Sequence, residues 1–337
     1  MKAILHKKRL GFQWETQDPF LFCAHHEDYY PEGTDTLGPA MPLSRRNLGQ
    51  DFDLSNKWKM YHGHDVPGFP EHPHRGFETI TIVLEGFVDH FDSSGASGRY
   101  GQGDVQWMTA GRGMQHAEMF PLIDSNNDNT LHLFQVWLNL PRESKFVEPH
   151  YKMLWSEDIP KISEENHEGK KSEVTLIAGI YKNHTAVSPA PNSWAADPIN
   201  HLDIYLIKME TGGTIHLPTR SKSVNRTLYF YKGESIEVNG EHLEVDHQAY
   251  LKPKDITIEN IGNEAYILIL QAEPIEEPVA QYGPFVMNTQ EEIRQAYKDY
   301  QKTRFGGWPW DRSDPVHPKD QGRFARYSDG KEDQPNK

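Results

Sequence analysis

"EHPHRGFETITIVLEG", residues 71–86, sets two histidines one residue apart and then runs into an alternating, β-branched stretch that ends on glycine. In extended backbone, side chains at i and i+2 point to the same face, so His72 and His74 address one point in space. The residues after them, 77–86, read as a strand. Similar compact runs recur at 129–140, 173–181, 201–209, 226–238 and 264–272, separated by turn signals such as "SSGASG", "TGG" and "VNGE". The chain is therefore expected to be mostly β, in sandwich or barrel form. One helix is predicted over 288–304, where Thr289 can cap, Glu292 can reach back to it, and Ile293, Ala296, Tyr297 and Tyr300 share an apolar face.

The strand pattern repeats. "ETITIVLEG" ending at Gly86 matches "RTLYFYKG" ending at Gly233, and "GDVQWMTAG" from Gly103 matches "VDHQAYLKPK" from Val245. Two copies of one β module follow, with expected borders at 1–140 for a metal-binding module and 173–287 for its duplicate. A polar, proline-punctuated connection at 141–172 lies between them, and the helix and tail occupy 288–337. The end of the tail, rich in Gly, Pro and charge, is expected to be loose, while Trp308 and Trp310 dock its beginning.

The 337 residues fit about two domains. Thirty-five basic against 49 acidic residues give a net charge of -14, which opposes nonspecific binding to nucleic acid or to an anionic membrane. Cys23 is the only cysteine, so there is no intrachain disulfide and no multi-thiolate zinc site. With no apolar run of signal-peptide or membrane-spanning length, a cytoplasmic protein is expected.

Further along, "MQHAEMF" repeats the i, i+2 spacing with His116 and Glu118. If the two strands are neighbours, three imidazoles and one carboxylate converge. Such a set suits Fe(II) best and also Mn, Ni, Cu, Co or Zn, with open positions for water, dioxygen or substrate. Alone, an HxH pair is weak, since the chain has 18 histidines and "YHGHDVPGF" holds another pair, His62 and His64, expected not to bind metal. Glu78 lies about 13 Å beyond His74 in a regular strand and can join only if the chain turns at Gly76. Arg75 is expected to pair with a carboxylate, Met114 and Phe120 to line the cavity, and Met108 and Trp107 to pack in the core.

The combination of "GFPEHPHRGFETITIVLEG", "GDVQWMTAGRGMQHAEMF" and "EPIEEPVAQYGPFVMNTQEEI" resembles the pirin family of the cupin superfamily over nearly the whole chain. The resemblance implies two cupin (double-stranded β-helix, or jelly-roll) barrels in one chain, with one metal ion, usually iron, in the N-terminal barrel. It places the metal ligands on His72, His74, His116 and Glu118, and not on Glu78, where many other cupins have theirs. It also implies a quercetin 2,3-dioxygenase, which opens a flavonol with dioxygen and releases carbon monoxide. In that reaction Glu118 would take a proton from the flavonol hydroxyl. The alternative is an iron-dependent redox-sensing or regulatory binding protein without turnover. The expected partners are a flavonol and dioxygen, with no nucleic acid, no membrane and no second copy.

The second module is expected to hold no metal. Counting back from Gly233 as from Gly86 puts Thr219 and Ser221, or Pro218 and Arg220, at the places of His72 and His74. The matching count in the second strand puts Ile258 and Asn260 at those of His116 and Glu118.

Overall fold

The computed structural model describes residues 2–336. It is mostly β and divides into two compact units, each built on paired antiparallel sheets that do not close into a cylinder. Among the described residues no helix is long and apolar enough to cross a membrane.

The unit that carries "EHPHRGFETITIVLEG" contains His25–Val136, Leu140–Ser156 and the chain from Glu277 onward. One sheet sets His150–Leu154, Val105–Thr109, Phe77–Glu85, Asn129–Asn139 and Phe20–Tyr30 side by side. The other runs Glu332–Asp333, Phe324–Arg326, Ser97–Gly101, Phe87–Asp92, Met114–Met119 and Gly68–His74, which leaves the two-histidine strand at an edge. Both sheets feed one core, with Val83, Leu131, Leu133 and Met153 from the first and Val88, Tyr100 and Ala325 from the second. The alternation in "FETITIVLE" does its expected work. Val83 enters this core, while Ile80 and Ile82 are buried on the opposite face.

The second unit is built from the first residues up to Ala24, Trp137–Asn139 and Glu157–Glu276. Its larger sheet is ordered Ile4–Arg9, His247–Leu251, Asn225–Lys232, Ala265–Ala272, Asp203–Met209, Lys171–Ala178 and Lys161–Glu165. Its smaller sheet is ordered Thr214–Leu217, Ile256–Asn260, Ser235–Val238 and Glu241–Glu244. The internal echo is real in three dimensions. Phe77–Glu85 pairs antiparallel with Val105–Thr109, and Asn225–Lys232 pairs in the same way with His247–Leu251.

The units are cut differently from the expected borders of 1–140, 141–172, 173–287 and 288–337. Ile4–Arg9 pairs with His247–Leu251 of the duplicate, because a strand edge there offers backbone groups that need partners. The segment 141–172 is not a free connection: His150–Leu154 extends one unit's sheet and Lys161–Glu165 the other's.

The end of the tail is ordered. Phe324–Arg326 pairs with Ser97–Gly101, and Glu332–Asp333 pairs with Phe324–Arg326. Its anchor is Arg99, which is fully buried. The guanidinium donates to Asp89 from Nε at 2.6 Å and from Nη2 at 2.7 Å, and to the carbonyls of His317, Pro318 and Gln321 at 3.0, 2.9 and 2.8 Å. Asp89 in turn accepts the backbone N–H of His317 at 2.8 Å.

The helix Gln290–Thr303 forms as predicted, with Thr289 and Glu292 making a reciprocal capping box. Ile293 and Ala296 pack on Phe285 and Met287. Such a cap contributes about 1 kcal/mol.

Candidate metal centre

Gly68–His74 and Met114–Met119 are antiparallel neighbours whose register sets His72 opposite His116 and His74 opposite Met114. The register shifts between Phe69 and His72. The i, i+2 pair on the edge strand therefore meets the ring of His116, and the ligand atoms of His72, His74 and His116 lie within 4.8 Å of one another. Among the described residues this is the one grouping of three or more such donors.

The chemistry of the three rings suits a metal. His74 and His116 are buried and His72 half-buried. Burial pushes His72 down to about 4 and holds His74 and His116 well below the ordinary histidine range, so all three are neutral imidazoles, the form that ligates. His72 Nδ1 lies 2.8 Å from the Pro70 carbonyl, which only accepts. The ring proton therefore sits on Nδ1 and leaves the Nε2 lone pair available. His116 is fully buried, and neither of its ring nitrogens has a hydrogen-bond partner. A buried polar atom without a partner costs about 1–3 kcal/mol, and a bound cation would engage the lone-pair nitrogen of this ring.

Glu118 stands at the side of this group, with Oε2 3.7 Å from His116 Nε2. Burial raises its pKa, while hydrogen bonds from Gln135 and Thr81 oppose the rise. Gln135 Nε2 donates to Oε1 at 3.1 Å and to Oε2 at 2.9 Å, and Thr81 Oγ1 donates to Oε1 at 3.2 Å.

Glu78 is elsewhere. The chain does turn at Gly76, where φ is +85° and a Cβ would meet the Val286 carbonyl at 2.0 Å. The turn carries Glu78 into the other sheet, where it accepts from Trp107 Nε1 at 3.2 Å and from Thr109 Oγ1 at 2.6 Å. Arg75 has the structural role expected of it. It donates to the Arg112 carbonyl at 2.6 Å and to Asp299 at 2.7 Å, and it covers the Phe305 ring at 4.5 Å. Trp107 and Met108 are core residues. Phe120 packs in the core beside Tyr61 and Phe69, and Met114 borders a cleft of about 500 Å³ with Arg75 and Phe305. That cleft is not lined by His72, His74 or His116, nor is a second one of about 610 Å³ beside Phe120.

His62 and His64 lie outside the grouping of donors. His62 is exposed and its Nδ1 bonds to the Gly49 carbonyl at 2.7 Å. Replacing both with alanine should leave the metal content per chain unchanged, as measured by elemental analysis. Loss of metal from a folded double variant would mean that the wrong pair has been chosen.

Three neighbours of the site went unread in the sequence. His90 is fully buried, opposite Glu118 across the strand pair, with its ring 5.6 Å from that of His116 and stacked at 4.6 Å on Tyr151. Its Nε2 is 3.1 Å from Asp92. The signal was present, because His90 and Asp92 form a third i, i+2 pair of polar donors on a strand. Gln135 shares its parity with Leu131 and Leu133, so a polar residue interrupts an inward apolar face. Thr81 sits on the inward face with Val83.

In the duplicate the places of the three histidines are apolar, and that of Glu118 is Asn260. Ile258 is fully buried and pairs with Ile215, and Leu217 pairs with Ile256. The strand that corresponds to Gly68–His74 is thus Thr214–Leu217, and Pro218, Thr219, Arg220 and Ser221 lie past its end. The count from Gly233 failed because seven residues, 218–224, separate this strand from Asn225–Lys232, against two between His74 and Phe77. Asn260 donates to the carbonyls of Met209, Glu210 and Asn263 at 3.1, 3.0 and 2.7 Å, which engages its amide in a turn.

The chain also resembles known proteins over both of its modules. The Pirin model matches residues 6–138 and the Pirin C-terminal cupin domain model matches 204–306. A Pseudomonas aeruginosa protein whose name assigns it provisionally to the quercetin 2,3-dioxygenases is 36% identical over 241 residues, 71% of this chain and 79% of that one. Human pirin is 36% identical over 272 residues, 78% of this chain and 87% of its own. The crystal structure of a quercetin 2,3-dioxygenase from Acinetobacter baumannii superposes with a TM-score of 0.70 at 27% identity, covering 91% of this chain and 99% of that one.

Proposed function

This chain belongs to the pirin family, and from that premise we propose that it is a metal-dependent dioxygenase that opens flavonols such as quercetin with dioxygen and releases carbon monoxide. The observation that carries the reading is the convergence of three neutral imidazoles, His72, His74 and His116, beside the buried carboxylate of Glu118. The names of the Pseudomonas relative and of the Acinetobacter structure supply the substrate class.

His72, His74, His116 and Glu118 would hold one divalent ion, with Fe(II) the first choice for a donor set of nitrogen and oxygen without thiolate. When bound, such an ion supplies Lewis acidity and, if redox-active, a means of coupling an electron-rich ring to dioxygen. Glu118 takes the proton of the flavonol hydroxyl, and its burial makes it a stronger base than an exposed glutamate. Gln135 and Thr81 keep that carboxylate in place. His74 and His116 are shut away from solvent, so substrate reaches the centre on the side of His72, the half-buried member. The duplicate module, with Ile215, Leu217, Ile258 and Asn260 at the ligand places, holds no metal and serves packing or partner contact.

The test is oxygen uptake and carbon monoxide release by the Fe(II)-loaded protein supplied with quercetin in air. Stoichiometric loss of both oxygen and quercetin with carbon monoxide formed is the expected result. A fully metal-loaded protein that leaves a panel of flavonols untouched would instead support the regulatory, non-catalytic reading.

A further inference from the structure

Glu118 is gripped from the sheet opposite its own strand. Thr81 comes from Phe77–Glu85 and Gln135 from Asn129–Asn139, neighbours in one sheet, while Glu118 belongs to Met114–Met119 in the other. The carboxylate therefore bridges the two sheets beside the histidines. Its two oxygens are not equivalent. Oε1 accepts from both Thr81 at 3.2 Å and Gln135 at 3.1 Å. Oε2 accepts from Gln135 at 2.9 Å, the shorter of that amide's two bonds, and is the oxygen that stands 3.7 Å from His116 Nε2.

The placement of Gln135 has a cost that its bonds to Glu118 explain. Leu131 and Leu133, which share its face, are in the core, and a neutral amide set among them is unfavourable unless its donors are used. The amide stabilises the carboxylate without cancelling its charge, which a lysine or arginine in that place would do. Thr81 adds a hydroxyl donor on the same side.

We propose that Gln135 and Thr81 are positioning residues: Gln135 spans both oxygens of Glu118 and Thr81 holds Oε1, which together fix the plane of the carboxylate with Oε2 turned toward the histidines. This rests on the reading that His72, His74, His116 and Glu118 hold a divalent ion. Partners that orient a ligand in this way are worth roughly 10–100-fold in metal affinity. Without the clamp, the carboxylate rotates about its terminal torsion, so that neither the identity of the donating oxygen nor its distance is held.

Co(II) reports on this directly, because its ligand-field absorption follows coordination number and donor type. The proteins to compare are Co(II)-loaded wild type, Gln135→Leu, Thr81→Val, Thr81→Ser and Glu118→Gln, with secondary structure checked by circular dichroism. Gln135→Leu should shift the absorption bands toward those of Glu118→Gln and speed Co(II) removal by a chelator roughly 10–100-fold. Thr81→Val should do the same to a smaller degree, and Thr81→Ser, which keeps the hydroxyl, should match wild type. If Gln135→Leu or Thr81→Val is folded and has the spectrum and removal rate of wild type, the positioning role is overturned while the metal site stands. A wild-type protein that takes up no Co(II) overturns the metal reading and this inference with it.

Discussion

His116→Asn should leave a folded protein that no longer retains metal. The ring of His116 is the one that both histidines of the edge strand face, with centroids 4.4 Å from His72 and 4.9 Å from His74. Changing partners of a ligand costs roughly 10–100-fold in affinity, so removing the ligand itself should cost more than about 100-fold, or more than about 3 kcal/mol. Asparagine keeps polarity and part of the volume, which limits the damage to packing that alanine would cause at a fully buried position. Elemental analysis after gel filtration should find almost no metal in this variant and about one ion per chain in wild type. Full metal retention by folded His116→Asn would remove this ring from the ligand set.

Arg99→Ala should be the most damaging single change to stability. It leaves the Asp89 carboxylate buried without its guanidinium and strips three tail carbonyls of their donor. Breaking a buried ion pair by removing one partner costs about 3–5 kcal/mol. The tail should also come away, so limited proteolysis ought to cut within 308–337 before the rest of the chain. Arg99→Lys keeps the charge without the fork that reaches Asp89 and the carbonyls together, and should fall between the two. Loss of less than about 1 kcal/mol in Arg99→Ala, with the tail still protected, would show that the anchor is elsewhere.

Legibility in the sequence followed the range of the interactions. The i, i+2 spacing of His72 and His74, the capping box at Thr289 and Glu292, and the echo between the modules are local patterns of period and turn chemistry. The structure groups those two histidines with His116, forms the cap and repeats the strand pairing, because nothing in the packing opposes them. The destination of "ILHKKR" had no local signature. It is a mostly exposed strand whose place is set by the open edge of His247–Leu251, more than 200 residues away. The order of the tail was hidden for a related reason. Arg99 and Asp89 look like ordinary surface charges until the fold buries them together. The register of the duplicate was lost because residue counting assumes equal loops, and 218–224 is longer than the turn at Arg75 and Gly76. Gln135 was overlooked because a single polar residue in a strong strand reads as outward-facing, whereas here it faces inward to hold Glu118.

The claim on which the rest depends is one metal ion held by the N-terminal set of donors alone. Anomalous diffraction from crystals of the metal-loaded protein, measured on both sides of the absorption edge of the bound metal, tests it most directly. The account predicts one strong peak per chain, ringed by His72, His74 and His116 with Glu118 Oε2 beside them, and none in the duplicate near Ile215 and Ile258. A peak at His62 and His64, a second peak inside the duplicate, or no peak among the three histidines of a metal-saturated protein would contradict it.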